Sequence, residues 1–574
     1  MNRHAILHVP MSQFAYGIDD RHLVFRLRTA RDDMASVTLI YGDRFCRKTP
    51  AESYRCPMRK ILFDSLFDWW EITVETEYKR VFYGFELTGR DGSTLFYSAD
   101  RFHEALTEDP KDFYQLPFNH RADRAVVPAW MRDAVIYNIF PDSFATGKRF
   151  ITGSPSEMDI SGKTIHGNNG GTIRGITENL DYIQSLGANC IYLNPIFTAG
   201  EYHKYDLIDY YHIDPLFGTD ADFRELVETA HQMGIRVILD GVFNHCGWQF
   251  FAFQDVLKSG KDSPYWKWFF RLEEPVIIPD NEIDYPSYEC FAYVGIMPKL
   301  ALDEPEVQEY FCQVGEYWVR EYGIDGWRLD VADEINDSFW RSFRKRVKAV
   351  KEDCALIGEV WESAGHWLDG TMFDSTMNYE FRNHCRAFFA DREIDAEQFN
   401  GCVTNMLMRY RGNIAQAQMN LLDSHDVSRF LSLCGGDLRK MKLALVFQMT
   451  FVGMPTIFYG DEQEMTGILE VEFRHPMNWN GQSELFGFIQ KLISLRLAEP
   501  ALRIGDFCCA EADGDFYHFC RSDEDKTVHV LLNNGPDDKP IRLHAEDAVL
   551  LAEGFEHDSL KPYGFIITET SAEQ

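Results

Sequence analysis

The sequence predicts an α/β protein: a TIM (β/α)8 barrel with an N-terminal β-sandwich, a small subdomain inserted after the third barrel strand, and a C-terminal β-sandwich. The chain has 574 residues, too many for one hydrophobic core. Residues 126–499 alternate short apolar segments with helical periodicity, which is typical of a parallel sheet covered by helices. Residues 1–125 and 500–574 instead alternate apolar and polar side chains, which is typical of antiparallel sheets.

The composition argues against several classes of protein. The 57 basic and 90 acidic residues give a formal net charge of −33, which argues against nucleic acid or an anionic membrane as a partner. No apolar run is long enough for a membrane span, and the N-terminus lacks the apolar segment of a signal peptide. The 13 cysteines are scattered, and no CxxC pair or Cys/His cluster suggests zinc. The simplest expectation is a reduced, cytoplasmic protein.

The N-terminal domain, residues 1–125, is predicted from alternating segments at 23–28, 36–41, 70–74 and 81–87. Two adjacent tryptophans, Trp69 and Trp70, allow two interpretations. They could form a platform on which a sugar stacks, or one could pack in the core while the other covers an interface. Residues 113–128 are interpreted as a linker to the barrel.

The barrel, residues 126–499, is predicted most clearly from three units in which a helix, a glycine and an apolar strand follow one another. Thr177 is predicted to cap the first helix and Asp220 to open the second. Glycine is the expected residue after a helix, and Gly187, Gly234 and Gly323 stand at these positions. A doubly wound sheet is the alternative. Eight strands are predicted, near 134–140, 188–194, 235–240, 325–330, 356–361, 371–376, 418–423 and 456–459.

Two further regions complete the predicted organisation. Residues 246–300 are aromatic-rich and follow the third strand, so they are interpreted as a small subdomain over the mouth of the barrel. The C-terminal domain, residues 500–574, is predicted from the alternating segments 516–521 and 528–532. No chemistry is apparent in it.

The fourth predicted strand ends in an arginine and an aspartate of special interest. Arg328 and Asp330 are two residues apart, so on a strand both side chains face the same way. An arginine beside a carboxylate lowers the pKa of that carboxylate, so Asp330 is expected to stay ionised as a nucleophile must. The alternative is a structural ion pair at the end of a strand.

Other predicted strands also end in polar groups. In TIM barrels the chemistry lies at these carboxyl ends. Two carboxylates that flank a bond are what glycoside cleavage requires: one protonates the leaving oxygen, and the other meets the sugar carbon as a nucleophile or base. The sequence therefore predicts a glycosidase site built from the residues at strand ends, which are Asn194, Asp240, Asn244, His245, Arg328, Asp330, Glu359, His425 and Asp426.

Four of these segments resemble, in order, the conserved motifs of the α-amylase family, glycoside hydrolase family 13. They are DGVFNH at 240–245, GWRLD at 326–330, GEVW at 358–361 and LDSHD at 422–426. The resemblance implies that Asp330 is the nucleophile, Glu359 the general acid/base and Asp426 the stabiliser of the transition state. It further implies that the substrate is held by His203, Tyr205, Asp240, His245, Arg328, Trp361, His425 and Arg474.

The segment MPKL at 297–300 resembles the corresponding motif of neopullulanases, cyclomaltodextrinases and maltogenic amylases. In that group the N-terminal domain often mediates dimers and narrows the partner's cleft, so a homodimer is expected. The sequence departs from the group's pattern at four positions. Ser143 stands where Arg is usual, Ala301 where Asn is usual, Asp333 where Asn is usual and Glu470 where Asp is usual.

The predicted chemistry requires no cofactor. The segment 145–171 is rich in glycine and corresponds to a calcium loop in the resembling group, but its acidic residues are few. Asp159, Asn168 and Asn169 could supply oxygen ligands. The sequence does not decide between a calcium-bound and a metal-free protein.

The function predicted from the sequence is hydrolysis of α-1,4 bonds, with retention, in maltooligosaccharides, cyclodextrins and perhaps pullulan. An α-glucan transglycosidase or isomerase, similar to amylosucrase or trehalose synthase, is the alternative enzyme. A non-catalytic amylase-like protein that binds sugar or assists a transporter is a different class. Such proteins usually lose catalytic acids and gain a membrane span, whereas Asp330, Glu359 and Asp426 are all present here.

Overall fold

The computed structural model describes residues 1–45, 53–153, 157–158, 164–165, 168–279, 284–544 and 546–571. Within these residues the chain forms an N-terminal pair of antiparallel sheets, a closed parallel barrel and a C-terminal antiparallel sheet. The predicted fold class is therefore confirmed, and the doubly wound alternative is excluded because the barrel closes. No helix in the described part of the chain is long and apolar enough to cross a membrane.

The N-terminal domain packs two antiparallel sheets against each other. One sheet has the strand order β1-β2-β6-β5, and the other has the order β4-β3-β7-β8-β9 with β10 paired to β7. Alternating apolar residues of both sheets form a shared core. The strands are β1 (Ala15–Gly17), β2 (His22–Ala30), β3 (Met34–Asp43), β4 (Tyr54–Pro57), β5 (Arg59–Phe63), β6 (Phe67–Glu75), β7 (Val81–Gly89), β8 (Thr94–Ser98), β9 (Arg101–His103) and β10 (Tyr114–Leu116).

The two adjacent tryptophans on β6 are both buried, as the second interpretation predicted. Trp70 packs in the core of the N-terminal domain and donates to Thr29 Oγ1 over 3.0 Å. Trp69 points the other way, stacks on Phe14 and joins the hydrophobic cluster of the barrel. Neither ring is a sugar platform, and the idea that these two aromatics anchor a partner subunit is wrong because each is 7% exposed.

Eight parallel strands close the barrel in the order β11-β14-β15-β16-β17-β18-β19-β20. Their side chains are almost all fully buried, because helices cover the outside and the strands fill the inside. The strands of this region are β11 (Ile136–Ile139), the short hairpin β12 (Glu157–Met158) and β13 (Thr164–Ile165), β14 (Cys190–Leu193), β15 (Arg236–Gly241), β16 (Gly326–Leu329), β17 (Ala355–Gly358), β18 (Ser375–Asn378), β19 (Met419–Leu421) and β20 (Met454–Phe458).

Two details of the sequence-based prediction need correction. The sixth barrel strand begins at Ser375 instead of 371, because the apolar pair Met372 and Phe373 packs in the turn that precedes the strand. Thr177 is not a helix cap. It lies inside a helix and donates to the carbonyl of Ile173, whereas Thr172 is the residue that caps this helix.

The helices around the barrel begin and end largely where the sequence indicates. Gly187 and Gly323 adopt the left-handed conformation directly after their helices, a conformation that glycine adopts without strain. The longer helices are amphipathic and pack their apolar faces on the strands. The helices are α1 (Pro141–Phe144), α2 (Ile173–Glu178), α3 (Leu180–Leu186), α4 (Asp220–Gln232), α5 (Phe251–Ser259), α6 (Pro305–Tyr322), α7 (Asp337–Val350), α8 (Tyr379–Cys385), α9 (Ala396–Arg409), α10 (Gly412–Ala415), α11 (Phe430–Leu433), α12 (Leu438–Thr450), α13 (Glu470–Phe473), α14 (Glu484–Ala498) and α15 (Pro500–Ile504).

The insertion after the third barrel strand carries α5 and several short turns, and it folds back onto the barrel mouth. His245 forms a bridge with Lys299, and Cys290 forms one with Pro298. These bridges bring Phe291 over the imidazole of His245, with 4.9 Å between the ring centroids. The insertion therefore supplies part of the wall of the cleft described below.

The C-terminal domain is one antiparallel sheet in the order β21-β22-β23-β26-β24, with β25 paired to β26. Arg521 is completely buried between this sheet and the barrel, where it donates to the carbonyls of Thr450, Leu502 and Gly505. These bonds fix the sheet to the barrel. The strands are β21 (Asp506–Asp513), β22 (Phe516–Ser522), β23 (Lys526–Asn533), β24 (Lys539–Pro540), β25 (Ala548–Glu556) and β26 (Ser559–Ser571).

Candidate active site

Four polar side chains stand at the carboxyl ends of three neighbouring barrel strands. Asp240 on β15 is paired in register with Arg328 on β16. Asp330 follows the end of β16 directly, and Glu359 follows the end of β17 directly. Since parallel strands end at one edge of the sheet, the fold brings these side chains together at one mouth of the barrel.

Arg328 is the centre of this group and is completely buried. Its Nη1 donates to Asp330 Oδ1 over 2.7 Å and to both carboxylate oxygens of Asp240, over 2.9 and 3.1 Å. Its Nη2 lies 2.9 Å from Glu359 Oε1. One guanidinium therefore orients three carboxylates from three strands, which is more than the single Arg–Asp pair that the sequence suggested.

Glu359 is held by two further donors. The backbone N–H of Val331 donates to Oε2 over 2.9 Å, and the indole of Trp361 donates to Oε1 over 3.2 Å. Val331 adopts φ 45° and ψ 46°, a conformation that costs energy for a β-branched residue. This strained residue directly follows Asp330, and its conformation aims the N–H at Glu359. This backbone conformation could not be predicted from the sequence.

Asp426 lies on the other side of the cleft between an imidazole and a guanidinium. Its Oδ2 is 2.9 Å from Nε2 of His425, and its Oδ1 is 3.5 Å from Nη2 of Arg474. The hydroxyl of Tyr379 donates to it over 3.4 Å, and the ring of Tyr379 stacks on Trp361 with centroids 3.8 Å apart. Tyr379 was not found from the sequence, because its contacts arise only when the ends of β17, β18 and β19 meet.

Tyr205 connects the base of the cleft with its rim. Its hydroxyl donates to Asp240 Oδ2 over 3.0 Å and also hydrogen-bonds with Nε2 of His425, on whose ring it stacks. His203 Nδ1 accepts the backbone N–H of Tyr205 over 3.0 Å, and the carbonyl of Tyr205 lies 3.1 Å from His245 Nε2. These bonds fix the aromatic face of Tyr205 beside the acids.

The cleft has a volume of about 450 Å³. Asp240, Arg328 and His425 are buried beneath it. The structure thus brings together all eleven residues to which the family resemblance assigned a role in catalysis or substrate binding. The eight that line the cleft are His203, Tyr205, His245, Asp330, Glu359, Trp361, Asp426 and Arg474, and residues that the sequence did not assign to the site, such as Phe291, Met297 and Glu334, also line it.

Burial outweighs the nearby positive charge at the two central acids. Burial, opposed by Arg328 and reinforced by the charges of Glu359 and Asp240, raises the pKa of Asp330 well above its usual range. Burial likewise raises the pKa of Glu359. Arg328 does act to lower the pKa of Asp330, but burial outweighs it and the guanidinium is shared with Asp240 and Glu359, so the expected net lowering is wrong. Interacting acids titrate together, so this pair retains one proton to a higher pH than free carboxyls would.

The pKa values of Asp426 and His245 are shifted in the opposite direction, to lower values. Burial acts to raise the pKa of Asp426, but His425 and Arg474 hold it well below its usual range. Burial and the charge of Lys299 lower the pKa of His245 to about 3. Asp426 is therefore a fixed negative charge, and His245 is a neutral hydrogen-bonding group.

Three of the four departures from the family pattern are accommodated close to the cleft. Ser143 is fully buried, and its hydroxyl donates to the carbonyl of Arg474 over 2.6 Å. Glu470 pairs with Arg474 and accepts from Tyr202, so the longer acid still holds the arginine. Asp333 lines the cleft, where burial raises its pKa. Ala301, the fourth departure, is buried and is not among the described residues that line the cleft.

Two of the three oxygen ligands considered for calcium lie within the described residues. Asp159 lies outside them. Asn168 Oδ1 accepts the N–H of Gly170, and Asn169 offers one buried oxygen without a hydrogen-bond partner. Asp142 beside it accepts the N–H of Asn169, and burial raises its pKa to about 6. Calcium takes six to eight oxygen ligands, so no step of the chemistry is assigned to it.

Comparison with known families agrees with this geometry. The model of the α-amylase catalytic domain matches residues 138–484, and the model of the α-amylase N-terminal Ig-like domain matches residues 1–120. The chain is a member of the α-amylase family. It is thus a glycoside hydrolase of family 13, and the resemblance that the four sequence motifs indicated is confirmed.

Relatives of this α-amylase family member span nearly its whole length. It is 40% identical to a cyclomaltodextrinase of Geobacillus thermopakistaniensis over 99% of both chains. It is also 40% identical to neopullulanase 2 of Thermoactinomyces vulgaris, over 95% of this chain and 93% of the relative. An intracellular maltogenic amylase of Bacillus subtilis is 37% identical over 92% of this chain and 91% of the relative. A solved cyclomaltodextrinase superposes with a TM-score of 0.91 at 37% identity, covering both chains completely. These relatives support α-glucan hydrolysis as the activity.

Proposed function

We propose that this enzyme hydrolyses α-1,4-glucosidic bonds of maltooligosaccharides and cyclodextrins with retention of configuration, and that pullulan is a further substrate. The observation that carries the proposal is the guanidinium of Arg328, which contacts Asp330 at 2.7 Å and Glu359 at 2.9 Å. Two carboxyl groups about 5–5.5 Å apart are what a retaining mechanism requires. A single guanidinium that contacts both acids favours this short separation over the wider one of inverting enzymes.

In the first step Asp330 attacks the anomeric carbon and Glu359 protonates the oxygen of the leaving sugar. Oδ1 of Asp330 is held by Arg328, so Oδ2 is the attacking atom in this scheme. The bond between the anomeric carbon and the leaving oxygen breaks as the bond to Asp330 forms. The proton that burial keeps on the Asp330–Glu359 pair is the one that the leaving group needs.

In the second step water displaces Asp330 and restores the α-configuration. Glu359 takes the proton of this water and returns to its starting state. Asp426 faces the same centre as a fixed carboxylate, because His425 and Arg474 hold its charge. It would stabilise the positive charge that develops on the sugar ring in both steps.

The binding residues suit a glucose ring at the site of cleavage. Tyr205 presents an aromatic face, and the imidazoles of His245 and His425 hold that residue in place by hydrogen bonds. Trp361 is 43% exposed and stacks on Tyr379, which makes a flat platform at the rim for a neighbouring sugar. The names of the relatives, cyclomaltodextrinase, neopullulanase and maltogenic amylase, favour short and cyclic α-glucans as substrates.

Transglycosylation is the second candidate activity, because a covalent glycosyl-enzyme can pass its sugar to another sugar instead of water. Chromatography of the products from maltotriose, pullulan, β-cyclodextrin and starch distinguishes the two. Hydrolysis of maltotriose or β-cyclodextrin gives glucose and maltose as final products, whereas transfer gives oligosaccharides longer than maltotriose. Isomerised disaccharides as the main product would contradict the proposal.

We further propose that the enzyme works as a cytoplasmic homodimer without a required cofactor. The N-terminal domain matches the Ig-like domain of α-amylases, and a two-fold interface is the commonest way in which such chains associate. The maltogenic amylase relative of Bacillus subtilis carries the description intracellular. The described side chains supply every group that the two proposed steps require.

A further inference from the structure

One face of the C-terminal sheet gathers sulfur and nitrogen ligands far from the catalytic cleft. His518 and Cys520 are two residues apart on β22, so they point to the same face. Cys520 is paired directly with His529 on β23 and, on its other side, with Cys508 on β21. Strand pairing thus places His518, Cys520 and His529 close together on one face of the sheet.

The ligand atoms of three of these residues lie at the separations that a tetrahedral zinc ion imposes. His518 Nε2 is 3.2 Å from His529 Nδ1, and Cys520 Sγ is 3.2 Å from His529 Nδ1 and 3.9 Å from His518 Nε2. Zinc bond lengths of about 2.0–2.1 Å to nitrogen and about 2.3 Å to sulfur put neighbouring ligands about 3.3–3.6 Å apart. All three atoms lie within 4.8 Å of one another.

On binding a divalent cation the thiol of Cys520 would release its proton to solvent, because the thiolate is the form that binds metals.

Two of the three ligands are accessible from solvent. His518 and His529 line a cleft of about 340 Å³, whereas Cys520 is 5% exposed and lies against His529. A water molecule entering through the cleft can complete four-coordination.

We propose that His518, Cys520 and His529 form a binding site for a thiophilic divalent cation, Zn²⁺, in the C-terminal domain. This site is independent of the glycosidase chemistry. It corrects the sequence-based expectation that the chain holds no Cys/His cluster and that the C-terminal domain holds no chemistry. The cluster was invisible in the sequence because His529 joins the other two only through the register of β22 and β23. A bound ion would link these two strands and stabilise the sheet.

The test uses the full-length enzyme, kept reduced so that Cys508 and Cys520 stay thiols. Isothermal titration with zinc chloride, followed by desalting and elemental analysis, should show one retained zinc per chain. Cys520→Ser and His529→Gln should each weaken zinc binding by at least about 10-fold, as expected when a ligand is lost. Cys509→Ser is the matched control, because Cys509 is adjacent to Cys508 in sequence and so faces the other side of the sheet.

Cobalt provides a readout that depends on the sulfur ligand. The wild type and Cys509→Ser loaded with Co²⁺ should show a thiolate-to-cobalt charge-transfer band, and Cys520→Ser should lack it. Each variant's hydrolysis of maltotriose reports that it is folded. A wild type that retains no zinc, or a Cys520→Ser variant that binds zinc and cobalt as the wild type does, would overturn the proposal.

Discussion

Nη1 of Arg328 lies 2.7 Å from Oδ1 of Asp330, two residues further along the chain, and the same nitrogen donates to both oxygens of Asp240. The arginine is completely buried and reaches Glu359 with its other nitrogen. A single cation thus faces three acids, which leaves the site with an excess of negative charge. Burial, reinforced by that excess, raises the pKa values of Asp330 and Glu359. The excess also suits a substrate whose reacting carbon becomes positive.

The roles of the two acids predict a large and specific loss of activity. Asp330→Asn removes the nucleophile and Glu359→Gln removes the proton donor, so each should lower kcat on maltotriose by at least about 10³-fold. Both changes are nearly isosteric, so the melting temperature should shift by only a few degrees. Asp333→Asn is the matched control, because Asp333 lines the same cleft but takes no part in the proposed steps. Activity near that of the wild type in either acid variant contradicts the assignment.

The raised pKa of Glu359 predicts the alkaline side of the pH profile. The acid must carry its proton at the start of the reaction, and burial raises its pKa above 4.5. The value of kcat/KM for maltotriose should therefore hold above pH 4.5 and fall as the pH rises through the raised pKa. Maltosyl fluoride, whose leaving group needs no proton, should lack this alkaline fall. The same alkaline fall with both substrates would show that another group controls it.

The buried acid Glu462 predicts that the free energy of unfolding depends on pH, independently of catalysis. Burial raises the pKa of Glu462 from 4.5 to about 7, although Tyr137 and Tyr182 donate to its Oε1 over 2.7 and 2.8 Å. Because folding raises the pKa of Glu462, its contribution to the free energy of unfolding is fully present below pH 4.5. This contribution is lost as the pH rises through about 7. The loss amounts to about 3 kcal/mol for a shift of this size.

Glu462→Gln removes this titration. Urea unfolding at pH 5 and pH 8 should show the wild type losing stability relative to the variant as the pH rises. Glu397→Gln, on the exposed first turn of α9, controls for the loss of one charge. An equal difference between wild type and Glu462→Gln at both pH values would mean that Glu462 does not titrate in this range.

The proposed homodimer predicts a mass of twice the 66.6 kDa chain in light scattering. Trp69 and Trp70 are buried within the chain, so other residues must form the interface. Phe45 is 70% exposed on the N-terminal domain and is the strongest candidate. Phe45→Asp should shift the equilibrium towards the monomer and raise the rate on starch relative to β-cyclodextrin. Val549→Asp, at a half-exposed position of the C-terminal domain, is the control. A wild-type monomer contradicts the proposal.

The barrel and its acids could be predicted because their signals are local. Three of the strands are apolar segments that follow a glycine at a helix end, as at Gly187 and Gly323, and Asp330 and Glu359 stand directly after their strands. The conformation of Val331, the stacking of Tyr379 on Trp361 and the cluster around Cys520 could not be predicted. These features depend on which strands become neighbours and in which register, and a single sequence does not contain that information in readable form.

The pKa shifts of the site could be predicted only in part from the sequence, because they depend on burial. The pairing of Arg328 with Asp330 was predicted from their spacing, but the direction of the pKa shift was not. That direction depends on how many carboxylates share the guanidinium and on how little water reaches them, and both follow from the closed barrel.

The most direct test of the central claim is to trap the covalent intermediate. The Glu359→Gln variant treated with maltosyl fluoride can still form the glycosyl-enzyme, because fluoride needs no acid, but it lacks the base that activates water for the second step. Mass spectrometry of the digested protein should find maltose attached to the peptide that contains Asp330, and the further variant with Asp330→Asn should carry none. Maltose on another acid, or a first product in the β-configuration without any adduct, would contradict the account.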